Sequence, residues 1–463
     1  MSLTTSLEDT IVAISSPYGM GGVAVIRCSG KKALDILKQL FFKRNKLPFD
    51  FNKWQARRMY YGLLMDEGQI IDEVMICWYA FPHSYTGEDV VEVYCHGSVY
   101  VQQRILQAFV QRGARIAEAG EFTIRAYLNG KLTLSEAEAI GDLIHSETGS
   151  AHRLAMNQLR GGYQQLINQL REQLLQFASL LELELDFSEE YVEFANRQQL
   201  IEILNESLRK MSELMGSFKM GNAIKTGIPV VILGKPNAGK STLLNALLNE
   251  EKAIVSDIPG TTRDLIEDKL IIQGILFRII DTAGLREAKD MIEKIGIERA
   301  QQSIEKAMIV ILLQDITEYD IQETQNHLKL IQSINPDVAI VQVYNKIDKI
   351  KQQQYSNFND EVIFISAKEK YNIEVLKNKL VDIVVQKGYQ PHQPMVSNVR
   401  HFNELQNAKQ FLEKALESLK NKVTTELIAE DLRFAIMHLS NITGNISSED
   451  VLKNIFSKFC IGK

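Results

Sequence analysis

The chain has 463 residues and a mass of 52.6 kDa, a length that predicts roughly two to four domains. Its 52 basic and 58 acidic side chains give a formal net charge of −6, which excludes a nucleic-acid binder that is basic throughout but allows a local basic face. The apolar runs are too short for a membrane span, the N-terminus lacks the features of a secretion signal, and the four cysteines show no metal-ligand spacing and are too few for a disulfide framework, so we expect a cytoplasmic protein without membrane contact.

Residues 1–130 are predicted to form an α+β unit, because short β-rich runs alternate there with turns and with two helical patterns. One helical pattern follows Gly30, and the other spans residues 98–112. The strand patterns lie at residues 10–15, 23–27, 74–79 and 90–94.

In the rest of the chain the residue pattern changes twice. Residues 131–221 carry apolar side chains at helical spacing and no proline, and helical periodicity returns over residues 389–463. Between them, residues 222–388 alternate strand-like runs with helical stretches, which predicts a mainly parallel, doubly wound sheet. We therefore expect an α/β domain inserted into a discontinuous all-helical domain. The strand-like runs lie at residues 228–233, 276–280, 309–313, 338–344 and 362–365.

The segment GKPNAGKS, from Gly234 to Ser241, fits the phosphate-binding pattern GxxxxGK[ST] and lies between a strand pattern and a helical pattern. Its glycines let successive main-chain N–H groups face phosphates at a helix N-terminus. Lys240 offers a charge to the β and γ phosphates, and the Ser241 hydroxyl can bind Mg²⁺. A plain glycine-rich turn is the alternative, and the loops that follow argue against it.

Four further segments appear in the order that a GTP-binding fold requires. In GTTRD, Thr262 offers a hydroxyl to the metal, and in DTAG, Asp281 and the Gly284 amide face the metal and the γ phosphate. In NKID, the Asp348 carboxylate can accept hydrogen bonds from the N1–H and N2 amine of guanine, which adenine lacks. The segment SAK, residues 366–368, can support the base, so the region resembles the translation-factor-like, Ras-like P-loop GTPases.

The residues expected to contact GTP come from these five loops. They are Asn237, Ala238, Gly239, Lys240, Ser241, Thr242, Ser256, Asp257, Ile258, Pro259, Gly260, Thr261, Thr262, Asp281, Thr282, Ala283, Gly284, Asn345, Lys346, Ile347, Asp348, Ser366, Ala367 and Lys368.

One position departs from the Ras-like pattern. Leu285 follows DTAG where a Ras-like enzyme has a glutamine that orients the attacking water. Asn237 and the loop at residues 256–262 carry oxygens with which a monovalent cation could bridge the phosphates. Glu293 is the nearest candidate to position water, and an exposed helix carboxylate is its alternative interpretation.

Segments across nearly the whole chain resemble the bacterial and organellar tRNA modification GTPase family MnmE, also called TrmE. They are DTIVAISSPYGMGGVAVIRCSG, SYTGEDVVEVYCHGS, GEFTIRAYLNGKLTLSEAEAIGDLI, IPGTTRD, DTAGLREAKDMIEKIGIERA and the terminal CIGK.

The resemblance implies four segments: a folate-binding and dimerisation domain at residues 1–130, the two parts of a helical domain at 131–221 and 389–463, and an inserted GTPase domain at 222–388. It implies a homodimer that forms a heterotetramer with the flavoprotein MnmG, or GidA, on which FAD is expected. Together they would build a carboxymethylaminomethyl or aminomethyl group on C5 of the wobble uridine of certain tRNAs. A reduced folate, 5-formyl- or methylene-tetrahydrofolate, would carry the one-carbon unit.

The resemblance also implies site residues. Glu293 would orient water, and Cys460 would either act as a nucleophile or belong to an ordinary tail. Without the resemblance, the residues assigned to folate would be read as solvated surface residues. The implied ligand sets are Asn237, Ser256, Ile258 and Thr261 for K⁺, Ser241 and Thr262 for Mg²⁺, and Arg27, Glu88, Lys131 and Lys463 for folate.

Two rival functions stay open from the sequence. A regulatory or ribosome-assembly GTPase would share the α/β domain and act only as a switch. A folate-dependent transferase would use GTP binding merely for regulation. Folate retention by residues 1–130 separates the switch from the modification enzyme.

Overall fold

The computed structural model describes residues 9–186, 196–249, 268–280, 301–350, 362–391, 393–421 and 423–444, with residues 452, 455, 456, 459 and 462. These residues belong to two compact units. The first unit comprises Met1–Ile144, Gln158–Ala195 and Lys422–Lys463, and the second unit comprises His145–Asn157 and Asn196–Asn421.

The elements are numbered in chain order within this part of the chain. The strands are β1 (Ile11–Ile14), β2 (Gly21–Ser29), β3 (Phe41–Phe42), β4 (Met59–Asp66), β5 (Gln69–Tyr79), β6 (Val90–Gly97), β7 (Arg115–Ile116), β8 (Ile228–Leu233), β9 (Asp268–Ile272), β10 (Ile275–Ile279), β11 (Ile309–Asp315), β12 (Ala339–Asn345) and β13 (Ile363–Phe364). The helices are α1 (Ala33–Leu40), α2 (Val99–Gln111), α3 (Glu121–Leu128), α4 (Leu134–Ile144), α5 (Gly149–Leu159), α6 (Gln164–Asp186), α7 (Arg197–Gly216), α8 (Phe218–Thr226), α9 (Lys240–Asn249), α10 (Ile321–Ile334), α11 (Ile373–Gln386), α12 (Val399–Lys420) and α13 (Thr425–Thr443).

The first unit contains a seven-stranded sheet in the order β3-β4-β5-β6-β2-β1-β7. Its pairs are antiparallel except for β1 and β7, which run parallel. Alternate residues of β2, namely Ala24, Ile26 and Cys28, point into a core that α1 and α2 cover. This α+β arrangement confirms the prediction for the N-terminal residues.

The second unit contains a six-stranded sheet in the order β13-β12-β11-β8-β10-β9. All pairs are parallel except the β9–β10 hairpin at the edge. The apolar runs of β8 and β11 are buried on both faces, as expected for central parallel strands. The carboxyl ends of β8, β11, β12 and β13 therefore meet at one edge, where the candidate site lies.

The helical segments on either side of the α/β segment contact each other. Within the first unit α13 packs along α6, and within the second unit α12 packs along α7. At the start of α8, the ring of Phe218 stacks on that of Phe402 in α12, with the ring centroids 4.4 Å apart. These contacts agree with a discontinuous helical domain, whereas its boundaries at residues 130, 221 and 388 stay a prediction. Within the described residues, every helix is too short or too polar to cross a lipid bilayer.

Candidate nucleotide-binding site

The phosphate-binding loop joins β8 to α9. Asn237 takes the left-handed conformation at φ 65° and Gly239 has φ 100°, so the chain turns sharply before Lys240 begins the helix. A Cβ atom on Gly234 would lie 2.2 Å from the carbonyl oxygen of Leu313 in β11, which only glycine avoids. The loop therefore takes the shape that the GxxxxGK[ST] pattern predicts.

Lys240 is held against the loop by the main chain. Its Nζ donates hydrogen bonds to the carbonyl oxygens of Gly234 at 2.7 Å and Lys235 at 2.9 Å. Burial lowers the pKa of this ammonium group. The side chain thus places a partly desolvated cation beside the loop, while Ser241 and Thr242 lie exposed on the first turn of α9.

Asn345, at the end of β12, connects three loops. Its Nδ2 donates to the carbonyl oxygen of Ala238 at 2.9 Å, and its Oδ1 accepts from the N–H of Ala367 at 2.9 Å. The residue is 3% exposed, so both of these hydrogen bonds are shielded from water. The phosphate-binding loop and the loop after β13 are thereby fixed relative to each other, and we call this arrangement the Asn345 bridge.

Asp348 is oriented by the loop after β13. The Ser366 hydroxyl donates to its Oδ1 at 2.6 Å and accepts from the N–H of Glu369 at 3.2 Å. Ser366 is buried, whereas Asp348 lies at the surface, where its carboxylate has acceptor capacity for a base. Lys368 lies exposed beside Glu369, with which it forms a 3.5 Å ion pair.

Asp315 is a residue of this edge that sequence reasoning missed. Its Oδ2 accepts from Lys346 Nζ at 2.5 Å, and its Oδ1 accepts from the N–H and hydroxyl of Thr317 at 3.0 and 2.7 Å. Burial acts to raise the pKa of Asp315, but the hydrogen bonds from Lys346 and Thr317 outweigh it and lower that pKa. The sequence feature that could have identified Asp315 is an acidic residue at the carboxyl end of a buried strand.

The remaining predicted residues of the nucleotide site lie outside the described part of the chain. These are residues 256–262 and 281–284 and Glu293. Two residues predicted elsewhere, Cys460 as a nucleophile and Lys463 as a folate contact, also lie outside it. Within the described residues, no group of three His, Cys, Asp or Glu side chains is placed to hold a metal ion.

Arg27, one of the residues assigned to folate, lies on β2 of the first unit. Its Nε and Nη2 each lie 2.9 Å from Oε1 of Glu92 on the paired strand β6. The guanidinium also lies 5.3 Å and 5.7 Å from the ring centroids of Tyr85 and Phe122. Arg27 is therefore a fixed, half-buried cation beside two aromatic rings.

Glu88 lies on the same side of the sheet, because Ser29, two residues after Arg27, donates to its Oε2 at 2.7 Å. Arg125 donates to both Glu88 oxygens at 3.2 Å, and its side chain is only 1% exposed. Lys131 lies next to this group, since a Cβ on Gly87 would come within 3.2 Å of its side chain. The structure thus brings together the three described residues of the predicted folate set.

Sequence reasoning missed the partners of these residues, namely Glu92, Arg125 and Ser29. The tail also reaches this unit, because the Ser15 hydroxyl donates to the Gly462 carbonyl oxygen at 3.1 Å. The segments GEDVVEVYCHG and GEFTIRAYLNG contain Glu92 and Arg125, but no spacing rule pairs residues so far apart in the chain.

Two family models and several curated relatives match this chain. A family model described as the GTP-binding protein TrmE N-terminus matches residues 10–131, and one described as the MnmE helical domain matches residues 134–460. A relative from Cytophaga hutchinsonii, named tRNA modification GTPase MnmE, is 46% identical over 100% of both chains. Relatives with the same name from Flavobacterium johnsoniae and Flavobacterium psychrophilum are 46% and 45% identical, each over 98% of this chain and 99% of the relative. The chain therefore belongs to the MnmE family of tRNA modification GTPases.

Proposed function

We propose that the chain binds and hydrolyses GTP and uses the hydrolysis cycle to modify C5 of the wobble uridine, position 34, of certain tRNAs. The observation that carries the proposal is the Asn345 bridge, which joins the phosphate-binding loop to the loops that would recognise guanine. A member of this family with that bridge and with an oriented Asp348 has the parts needed to select GTP.

The described residues divide the work of binding. Lys240 and the main-chain N–H groups of its loop hold the phosphates, and Asp348 accepts the N1–H and N2 amine of guanine. The exposed Ser241 hydroxyl is a hard oxygen donor of the kind that Mg²⁺ prefers, and Thr262 would complete the protein's share. Magnesium bound there would neutralise part of the negative charge of the phosphates.

The same loop would contribute an oxygen donor to K⁺. Asn237 lies exposed in the left-handed conformation, so its side-chain oxygen is available beside the phosphates. Ser256, Ile258 and Thr261 would supply the other oxygens, and bound K⁺ supplies the positive charge that an arginine provides in other GTPases. Glu293 would orient the attacking water in place of the glutamine that Leu285 replaces.

Turnover is expected to depend on Glu293 and on K⁺. Glu293→Ala should keep GTP affinity and lower the hydrolysis rate by roughly 10²-fold or more, because a residue that positions water acts on the chemical step. Na⁺ in place of K⁺ should slow the native enzyme sharply. The measurements are GTP titration and phosphate release in both salts. Unchanged turnover in the variant removes Glu293 from the mechanism, and equal rates in both salts contradict the cation site.

Asp315 is expected to support guanine binding through Lys346. Asp315→Asn keeps the hydrogen bonds from Thr317 but removes the charge that holds Lys346, so we expect about five- to twentyfold weaker GTP binding, or about 1–2 kcal/mol. A double-mutant cycle with Lys346→Met measures the coupling. In the Lys346→Met background, Asp315→Asn should have no further effect. Additive losses contradict this role.

Folate would bind in the first unit. Glu88 suits the donor edge of a pterin, and Arg27 and Lys131 suit a glutamate tail, with Tyr85 and Phe122 beside Arg27. Lys463 would be the fourth contact, and Cys460 a nucleophile near it. The bound 5-formyl- or methylene-tetrahydrofolate supplies the one-carbon unit of the carboxymethylaminomethyl or aminomethyl group.

The proposed assembly is a homodimer that joins the FAD-containing flavoprotein MnmG in a heterotetramer, in the cytoplasm. Mass analysis of wobble uridine from cells that lack the chain tests the proposal. The modified nucleoside should disappear and return with the native gene but not with Glu293→Ala. Normal wobble uridine in the deletion strain favours the regulatory GTPase instead.

A further inference from the structure

Residues 43–58 of the first unit are the most basic short segment near the sheet. Six of these sixteen residues are basic and one is acidic, whereas 52 of 463 residues, about 11%, are basic in the whole chain. All six basic side chains are exposed. We call them the basic edge: Lys43, Arg44, Lys46, Lys53, Arg57 and Arg58.

The segment is folded onto the outer strands of the sheet. β3 pairs with β4 immediately before Lys43, and the bridge from Phe42 to Pro48 closes the turn that follows. Phe49 and Trp54 then pack edge-to-face on Tyr60 in β4, with ring centroids 5.3 and 6.1 Å apart. The basic side chains therefore project from a segment that this aromatic packing holds against the sheet.

Strand β4 holds cations from both ends of the segment at the same edge of the sheet. The Arg44 guanidinium lies 5.4 Å from the ring centroid of Tyr61, and Arg58 lies 5.9 Å from that of Tyr60. Tyr60 and Tyr61 are successive residues of β4, so their side chains point to opposite faces, and Arg44 and Arg58 lie on the two sides of this edge of the sheet. The Arg57 main-chain N–H donates to the carbonyl oxygen of Trp78 at 2.7 Å, and its guanidinium donates to the carbonyl oxygen of His83 at 3.1 Å.

Few carboxylates neutralise this surface. Within the described part of the chain, the basic edge forms only two ion pairs, each 3.9 Å long, from Arg44 to Glu73 and from Lys53 to Asp50. Exposed pairs of this kind contribute little. Exposed cations that few carboxylates pair, on a chain of net charge −6, suit a polyanionic partner.

We infer that the basic edge binds the phosphate backbone of the tRNA substrate. This inference rests on the proposed function, which supplies a polyanion that the chain must approach. Exposed arginines beside tyrosine rings on both faces of this edge offer positive charge, which suits RNA phosphates. The basic edge and the nucleotide loops contain different residues, so RNA binding and GTP binding can be varied independently.

The test is tRNA binding by the full chain. Binding is measured by fluorescence anisotropy at a series of salt concentrations. One variant combines Lys43→Gln, Lys46→Gln and Lys53→Gln, and a second combines Arg44→Gln, Arg57→Gln and Arg58→Gln. Each should bind tRNA about tenfold or more weakly at low salt, with a shallower dependence of log K on log salt by about two to three units. GTP hydrolysis without tRNA should stay unchanged.

The matched control removes three exposed or half-exposed cations from α12 through Lys409→Gln, Lys414→Gln and Lys420→Gln. It should keep the native affinity and salt slope. Equal weakening in the control, or native binding by both edge variants, overturns the inference and leaves the proposed function intact. Absence of tRNA binding by the native chain overturns the inference as well. Loss of binding to phosphatidylglycerol vesicles with unchanged tRNA binding assigns the surface to a membrane instead.

Discussion

Asn345→Ala is expected to abolish measurable GTP binding, with a loss of at least 10²-fold, and to destabilise the second unit. The substitution leaves the Ala238 carbonyl oxygen and the Ala367 N–H without their partner in a buried place, at a cost of about 1–3 kcal/mol for each group. Since the same side chain fixes the phosphate-binding loop, the geometry of the site is lost together with the stability. Urea unfolding and titration with a fluorescent GTP analogue measure the two effects.

Asn335→Ala provides the matched control. The Asn335 side chain also bridges main-chain groups of this unit, donating to the carbonyl oxygens of Ile304 at 2.9 Å and Ala307 at 3.0 Å. It follows α10, whose C-terminal end lies away from the carboxyl edge of the sheet. We expect a loss of stability with native GTP affinity. Native GTP binding by Asn345→Ala would show that the two loops keep their positions without the bridge.

The sequence predicted those parts of the molecule whose geometry is encoded locally. The strands at residues 228–233 and 309–313 are buried on both faces and read as continuous apolar runs, so their position and the loops at their ends are confirmed. The phosphate-binding loop is predictable for a similar reason, because glycines at fixed spacing determine the main-chain shape.

The hairpin of β9 and β10 was predicted only in part. Its second strand carries an apolar run, whereas β9 lies at the edge of the sheet with a half-exposed face. The turn uses Gln273 at φ 49° and Gly274 at φ 76°, and glutamine is an uncommon residue in that conformation. The residue pattern of the antiparallel edge strand β9 therefore gives only weak evidence for a strand.

Contacts between distant charged residues could not be predicted. Arg27 and Glu92 are 65 residues apart and meet through the register of β2 and β6, and Arg125 reaches Glu88 across 37 residues. Their sequence neighbours resemble those of ordinary surface charges, since burial of an ion pair is decided by the tertiary fold. The same holds for Asp315, whose partner Lys346 follows 31 residues later.

Gly239→Ala is expected to remove GTP binding through a steric conflict with the Asn345 bridge. The new Cβ would lie 2.2 Å from Nδ2 of Asn345, which is buried and bonded on both sides and cannot turn away without losing Ala238 or Ala367. The φ of 100° adds backbone strain of about 1–2 kcal/mol for a residue with a side chain. We expect GTP affinity to fall at least 10²-fold.

The control variant Gly388→Ala separates the effect of backbone strain from that of the steric conflict with Asn345. Gly388 follows α11 with φ 103°, nearly the same as Gly239, but a Cβ there meets nothing within 4 Å. This control should lose about 1–2 kcal/mol of stability and keep native GTP affinity. Because the two glycines have nearly the same φ, the extra loss of stability in Gly239→Ala over Gly388→Ala reports the contact with Asn345. If both variants bind GTP equally well, Asn345 moves freely and the bridge does not hold the phosphate-binding loop.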